Sequence, residues 1–120
     1  ADANPQETFD YVVEHLRGLD LAYLHVALFG AKVDYHALLR PRFGGAYLIG
    51  GGLDQTKAEA ALTDGRADAT VFGSAFLANP DLPERFRQGA PLNIPDKNTF
   101  YSPGAAGYTD YPLANGAGAD

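Results

Sequence analysis

The chain has 120 residues, of which 46% are hydrophobic and 20% are charged, proportions that predict a folded domain rather than a disordered segment. Its net charge of −6 argues against nucleic acid or an anionic membrane as the main partner. The absence of cysteine excludes a disulfide framework and a thiolate metal site, and is typical of a cytoplasmic protein. No apolar run reaches the length of a membrane span, and no signal peptide is recognisable.

The first elements are a helix and a strand. Asn4 and Pro5 are typical of a helix start, and apolar residues at helical spacing continue the helix until Gly18. The near-continuous apolar run from Leu19 to Leu28 predicts a strand buried on both faces.

A second strand and helix pair follows. A short helix is predicted from Tyr35 to Arg40, where Pro41 would stop it. The next strand is predicted over Ala46–Ile49. Asp54 is a suitable cap for a helix that runs to about Thr63.

The last units lie between residues 65 and 120. Gly65 suits the position just past a helix end, and a third strand is predicted over Ala69–Phe72. A further helix begins at Asp81 and ends near Gly89. From residue 90 to residue 120 the chain is rich in proline, glycine and tyrosine, which predicts an ordered tail whose last residues, 115–120, are frayed.

Three strands and four helices at a repeat of about 23 residues predict parallel strands joined by right-handed crossovers. Three such strands would leave two open sheet edges and much uncovered apolar surface. We therefore expect residues 1–120 to be part of one larger (β/α)8 barrel, completed by a partner chain or by a missing N-terminal part.

Two strand ends are followed by glycine and then by a helix start. Gly50, Gly51 and Gly52 follow the second strand, and Gly73 follows the third. Helix N-termini offer N–H groups and the positive end of a dipole to an anion, so the two junctions predict adjacent phosphate-binding turns. A dinucleotide fingerprint is a weaker alternative, because its third glycine position holds Gln55.

Several motifs resemble the Old Yellow Enzyme family of FMN-dependent ene-reductases, which are (β/α)8 barrels. The matching segments are Leu21–Val26, Gly50–Gly52, Phe72–Gly73, Phe76–Leu82, Thr99–Tyr101 and Gly107–Pro112. The resemblance covers the chain from Asn4 to Pro112 and corresponds to the C-terminal third of the family's barrel, about units six to eight with the tail.

The resemblance implies a role for five residues. Gly51 and Gly52 match one FMN-phosphate turn, Gly73 and Ser74 match the other, and Tyr101 matches a tyrosine of the substrate pocket. In this family NAD(P)H reduces the flavin, which gives hydride to the β-carbon of an α,β-unsaturated carbonyl compound such as an enone or enal. The catalytic side chains of the family come from earlier strands, so we assign no catalytic residue to this chain.

Two positions depart from the family pattern. Ser74 stands where the family usually has an arginine that pairs with the phosphate, and a hydroxyl cannot replace a guanidinium fork. The loop Ala27–Lys32 lacks the family's usual Glu-Pro pair, which alters the expected shape of the substrate pocket.

Two other functions stay open at this point. The first alternative is a non-catalytic or weakly flavin-binding relative with a structural or binding role. The second alternative is part of another (β/α)8 enzyme that binds a sugar phosphate or a nucleotide. A metal site is not expected, because no two histidines have the spacing of metal ligands. His25 is expected in the core or at its rim, and Asp110 in a hydrogen-bond cluster that anchors the tail.

Overall fold

The computed structural model describes residues 3–114, which form two compact units that divide between Val71 and Phe72. The sheet unit, residues 3–71, contains α1 (Pro5–Leu16), β1 (Leu24–Ala27), α2 (Tyr35–Phe43), β2 (Tyr47–Gly50), α3 (Gln55–Thr63) and β3 (Ala69–Val71). The tail unit, residues 72–114, contains α4 (Ser74–Ala78) and α5 (Leu82–Gln88). Two 3₁₀ turns lie at Arg17–Leu19 and Lys97–Thr99.

The three strands form one parallel sheet with β2 in the centre. Leu24 pairs with Tyr47 at the start of the β1–β2 ladder, and Leu48 pairs with Ala69 at the start of the β2–β3 ladder. Parallel pairing brings the carboxyl ends of all three strands to one edge of the sheet. The prediction that the strands are parallel is therefore confirmed.

The core of the sheet unit lies on one face of the sheet. Tyr47 and Ile49 of β2 are buried there, and Leu24 and Val26 of β1 pack against the same cluster. The helices contribute Val13, Leu39, Phe43 and Ala61. All three helices of the unit thus cover the same face, as a single outer layer.

The opposite face of the sheet carries the alternate residues, and the prediction that β1 is buried on both faces is wrong. His25 and Ala27 are exposed, so β1 alternates between half-buried and exposed positions. A side-chain period of two places these residues on the face that α1, α2 and α3 do not cover. His25, expected in the core or at its rim, is exposed and lies outside the core of the sheet unit for the same reason.

Strand β1 is shorter than the predicted Leu19–Leu28. Residues 17–19 continue the helix as a 3₁₀ turn, and Asp20 then adopts a left-handed conformation with φ of 49°. Pairing begins at Leu24, whose N–H donates to Ala46 O at 2.9 Å. The apolar run Leu19–Leu28 is therefore longer than the strand, because only Leu24–Ala27 pair with β2.

Helix α2 passes through Pro41 instead of stopping there. The helix continues to Phe43, which is buried, and Gly44 ends it with φ of 73°. A proline inside a helix removes one backbone hydrogen bond. Burial of the Phe43 ring, which is worth about 1.5–3 kcal/mol, offsets much of that loss.

The predicted starts and ends of the later helices are confirmed. Asp54 caps α3 by accepting the Lys57 N–H at 2.8 Å, and Gly65 follows that helix with φ of 68°. Helix α5 ends at Gly89, whose φ of 62° is also left-handed. The helix start after Gly73 is a separate short helix, α4, so the described residues hold five α-helices and not the predicted four.

Polar contacts hold the tail unit together. Arg85 is only 4% exposed, and its guanidinium donates to Asp81 Oδ1 at 2.7 Å, Pro91 O at 2.6 Å and Pro112 O at 2.7 Å. Asn79, also buried, exchanges hydrogen bonds with the backbone of Asn93. These bonds connect Pro91, Asn93 and Pro112 to α4 and α5. The predicted fraying of residues 115–120 lies outside the described residues.

No helix within residues 3–114 combines the length and the hydropathy required to cross a bilayer. The assignment of residues 1–120 to one domain with a tail from residue 90 remains a prediction.

Asp68 links three elements of the sheet unit. Its carboxylate accepts two hydrogen bonds from the Arg40 guanidinium, at 2.9 and 3.0 Å, and one from the Tyr47 N–H at 2.7 Å. Its own N–H donates to Tyr47 O at 2.8 Å. These bonds, that of Arg40 first, lower the pKa of Asp68 to about 2.

We predict that Asp68 makes folding sensitive to acid. Its folded pKa is below the unfolded value near 3.9, so its stabilising effect is complete above about pH 5 and is lost as the pH falls towards 2. In a completed barrel that contains this chain, Asp68→Asn should lower stability at pH 7 and flatten that acid-dependent loss, measured by urea unfolding across this range. Asp64→Asn, which removes the same charge from the same connection, is the control. Equal pH profiles for the two variants would contradict the assignment.

Candidate phosphate-binding turn

The turn after β2 is shaped by the close approach of two backbone segments. Gly51 has φ of 91°, and a Cβ atom at this position would lie 2.2 Å from Leu28 O. Leu28 in turn donates its N–H to Gly50 O at 3.1 Å. Only glycine fits here, because both the positive φ and the contact exclude a side chain. Packing alone therefore explains Gly51.

Gly52 has a different environment from Gly51. Its φ is 66°, but no atom lies within 4 Å of the position that a Cβ would take. Both glycines lie at the edge of a cavity of about 360 Å³ beside the start of α3. The cavity is lined by Leu28, Gly30, Ala31, Lys32, Val33, Asp34, His36, Gly51, Gly52, Leu53 and Lys57. The open side of Gly52 leaves the backbone accessible to a ligand.

Two lysines give the cavity cationic groups. Lys57 in the first turn of α3 has a side chain that is 65% exposed, and its Nζ lies 3.5 Å from Asp54 Oδ2. The Lys57 N–H, which bonds to the Asp54 carboxylate, is the main cause of the lowered pKa of Asp54. Lys32 is exposed on the opposite loop. These lysines were not among the site residues predicted from sequence, because nothing local marks them as cavity residues.

A polar pair lies behind the cavity. His36 Nδ1 and the Tyr47 hydroxyl share a hydrogen bond of 3.0 Å. Burial lowers the pKa of His36, and burial also raises the pKa of Tyr47 to about 12. Asp34 accepts an ion pair from Arg66 at 2.5 Å and caps α2 through the Ala37 N–H. Both shifts favour the neutral forms, so His36 and Tyr47 add no charge to the cavity near pH 7.

The second predicted turn lies in the tail unit. Gly73 precedes α4 with φ of −92° and ψ of −88°, and no atom lies within 4 Å of its Cβ direction. Ser74 is the first residue of α4 and is exposed. The first N–H groups of a helix have no acceptor within the helix, so this turn also presents donors.

Tyr101 has an unusual backbone conformation for a non-glycine residue. Its φ is 60°, and its side chain is 96% exposed. A left-handed conformation costs roughly 1–2 kcal/mol for such a residue, so other bonds must maintain it. Its N–H donates to the Tyr108 hydroxyl at 2.7 Å. Asp110 Oδ1 accepts the Gly107 N–H at 2.8 Å, a bond within the tail, and its predicted role in anchoring the tail stays a prediction.

The predicted site residues thus fall in both units. Gly51 and Gly52 share one cavity in the sheet unit, whereas Gly73, Ser74 and Tyr101 belong to the tail unit. Within residues 3–114, no cluster of three or more acidic, histidine or cysteine side chains is placed to hold a metal ion.

Three parallel strands, each followed by a helix and, within residues 3–114, covered by helices of the sheet unit on one face, form the arrangement expected of a segment of an α/β barrel. No protein-family model matches it. A solved morphinone reductase in complex with tetrahydroNAD is 44% identical, with a TM-score of 0.85 over 94% of this chain and 31% of the enzyme. The old yellow enzyme of Trypanosoma cruzi is 34% identical, with a TM-score of 0.86 over 93% and 31%.

Curated relatives agree with the structural comparison. 12-oxophytodienoate reductase 1 of Oryza sativa subsp. japonica is 38% identical over 122 residues, which cover 93% of this chain and 32% of the enzyme. The chain belongs to the Old Yellow Enzyme family. It spans about a third of the length of the relatives it matches, as part of their (β/α)8 barrel.

We predict unequal effects for alanine at the two adjacent glycines. Gly52→Ala should cost about 1–2 kcal/mol of folding free energy, because only the left-handed conformation opposes it. Gly51→Ala should cost more, since its Cβ would also overlap Leu28 O. Urea unfolding of both variants, measured with this chain in place of the corresponding third of a morphinone reductase barrel, checks this order. A smaller loss for Gly51→Ala would contradict the close approach.

Proposed function

We propose that this chain forms the phosphate-binding part of an FMN-dependent ene-reductase. One observation carries the proposal: Gly52, which has no atom within 4 Å of its Cβ direction, lies at the edge of an open cavity beside the start of α3. The backbone fits a phosphate group, because it leaves room for an anion next to the start of α3 and two lysines.

Gly51, Gly52, Gly73 and Ser74 would hold the FMN phosphate through backbone N–H groups. Tyr101 would form one wall of the substrate pocket. These assignments rest on the family correspondence of the motifs, supported by the accessible backbone at Gly52 and Gly73 and by the exposed ring of Tyr101.

The reaction that we propose for the complete barrel is reduction of an activated C=C bond. When bound, FMN supplies hydride chemistry between NAD(P)H and the β-carbon of an α,β-unsaturated carbonyl compound. The complex of morphinone reductase with tetrahydroNAD supports a nicotinamide as the reductant. The remaining barrel strands, as the partner or missing part, would supply the proton donor and the contacts to the flavin ring. Location in the cytoplasm remains a prediction from the cysteine-free composition.

Ser74 makes a specific prediction about cofactor affinity. The test uses a chimeric barrel, that is, a morphinone reductase in which this chain replaces the corresponding third of the enzyme. A charge-assisted hydrogen bond is worth roughly 1.5–3 kcal/mol, so Ser74→Arg should tighten FMN binding about ten- to a hundredfold. Flavin fluorescence quenching measures the dissociation constant.

Ser74→Gln is the matched control, because it adds hydrogen-bonding capacity and length without charge. Its FMN affinity should rise only about two- to tenfold above the parent chimera and stay below that of Ser74→Arg, since a neutral hydrogen bond adds about 0.5–1.5 kcal/mol. No gain from Ser74→Arg would contradict a phosphate site at this turn. Such a result would favour the alternative of a relative with a structural role.

A further inference from the structure

The segment from Asp96 to Tyr111, here named the tyrosine loop, is fixed at its base. The Arg85 guanidinium donates to Pro91 O, five residues before the loop, and to Pro112 O, the residue directly after it. Asn93 Nδ2 also donates to Pro112 O, at 2.8 Å. The two ends are therefore held together by a buried cation.

Two tyrosine hydroxyls connect the first half of the loop to the second. The Asp96 N–H donates to the Tyr111 hydroxyl at 2.8 Å, and the Tyr101 N–H donates to the Tyr108 hydroxyl at 2.7 Å. Gly107 lets the two halves of the loop approach, since a Cβ there would lie 2.0 Å from Thr99 Oγ1. The loop is thus built largely from its own hydrogen bonds.

The bond to Tyr108 falls on the one residue of the loop that is both strained and exposed. Among the non-glycine residues described, only Asp20 and Tyr101 have a positive φ. The Tyr101 ring is 96% exposed, so burial of the ring does not hold the backbone in that conformation. The Tyr108 hydroxyl is the partner of its N–H, and strain of this kind is typical of functional sites.

We propose that Tyr108 is a positioning residue: its hydroxyl holds Tyr101 in the left-handed conformation, with the ring presented to a planar unsaturated ligand. The proposal rests on the pocket role of Tyr101 given under the proposed function. Tyr108 itself need not touch the ligand. The Tyr108 hydroxyl fixes the Tyr101 ring before the ligand binds, so binding does not carry the entropy cost of ordering that ring.

Amide hydrogen exchange in the chimeric barrel tests the positioning directly, without any ligand. Tyr108→Phe should accelerate exchange of the Tyr101 amide and leave the Asp96 amide unchanged. Tyr111→Phe is the matched control, since it removes the same group from the same loop, and it should have the reverse effect. Unchanged exchange of the Tyr101 amide in Tyr108→Phe would overturn the proposal.

Steady-state kinetics with 2-cyclohexen-1-one and saturating NADPH test the consequence. Tyr108→Phe should raise KM about three- to tenfold and leave kcat within about twofold, because the Tyr101 ring must then be ordered when the ligand binds, a cost shared by the ground state and the transition state. Tyr111→Phe should keep KM within about twofold of the parent, since its hydroxyl does not contact Tyr101. FMN retention should be the same in both variants.

A double-mutant cycle separates positioning from general structural damage. Tyr101→Asn removes the ring but keeps a residue that tolerates the left-handed region. This variant should raise KM by itself, and Tyr108→Phe should then add less than about twofold. A full additional effect of Tyr108→Phe on top of Tyr101→Asn would overturn the proposal. Absence of FMN binding and of enone reduction in the parent chimera would instead contradict the proposed function.

Discussion

The structure depends on parallel pairing of β2 with a strand on each side. β2 contributes Tyr47 and Ile49 to the core, and its last residue, Gly50, pairs with both Ala27 and Val71. Asp68 fixes the entry to β3 by bonding to Tyr47 and Arg40 together. Because the strands run in the same direction, the turns that follow β1 and β2 meet at one edge, where the Gly51 backbone approaches Leu28.

Within residues 3–114 the sheet lacks a neighbouring strand at each outer edge and cover by α1, α2 and α3 on one face. Helices of the sheet unit cover one face, while His25 and Ala27 lie exposed on the other. β1 and β3 each have one neighbour within the described residues, so their outer edges are unpaired there. A closed barrel removes such edges and buries the second face. The coverage of about a third of each relative agrees with this interpretation.

Much of the fold could be predicted because its signals are local. Asp54, Gly65 and Gly89 mark helix ends through their own side chains or φ values, and the strand repeat predicted the barrel. The predicted end of α2 at Pro41 was wrong because burial of Phe43, a tertiary effect, extends the helix. The predicted β1 was too long because the length of a strand depends on the partner strand with which it pairs. The glycine turns of the site were predictable. The cavity lysines and the bond from Tyr101 to Tyr108 were not, since they depend on how distant residues fold together.

Native mass spectrometry tests the central claim most directly. This chain would be co-expressed with the remaining two thirds of morphinone reductase, and the unheated complex would be analysed in excess FMN. The account predicts one species that contains both chains and FMN, because the added strands pair the open edges and complete the cofactor site. A lone 12.7 kDa chain that unfolds cooperatively and does not associate would contradict it.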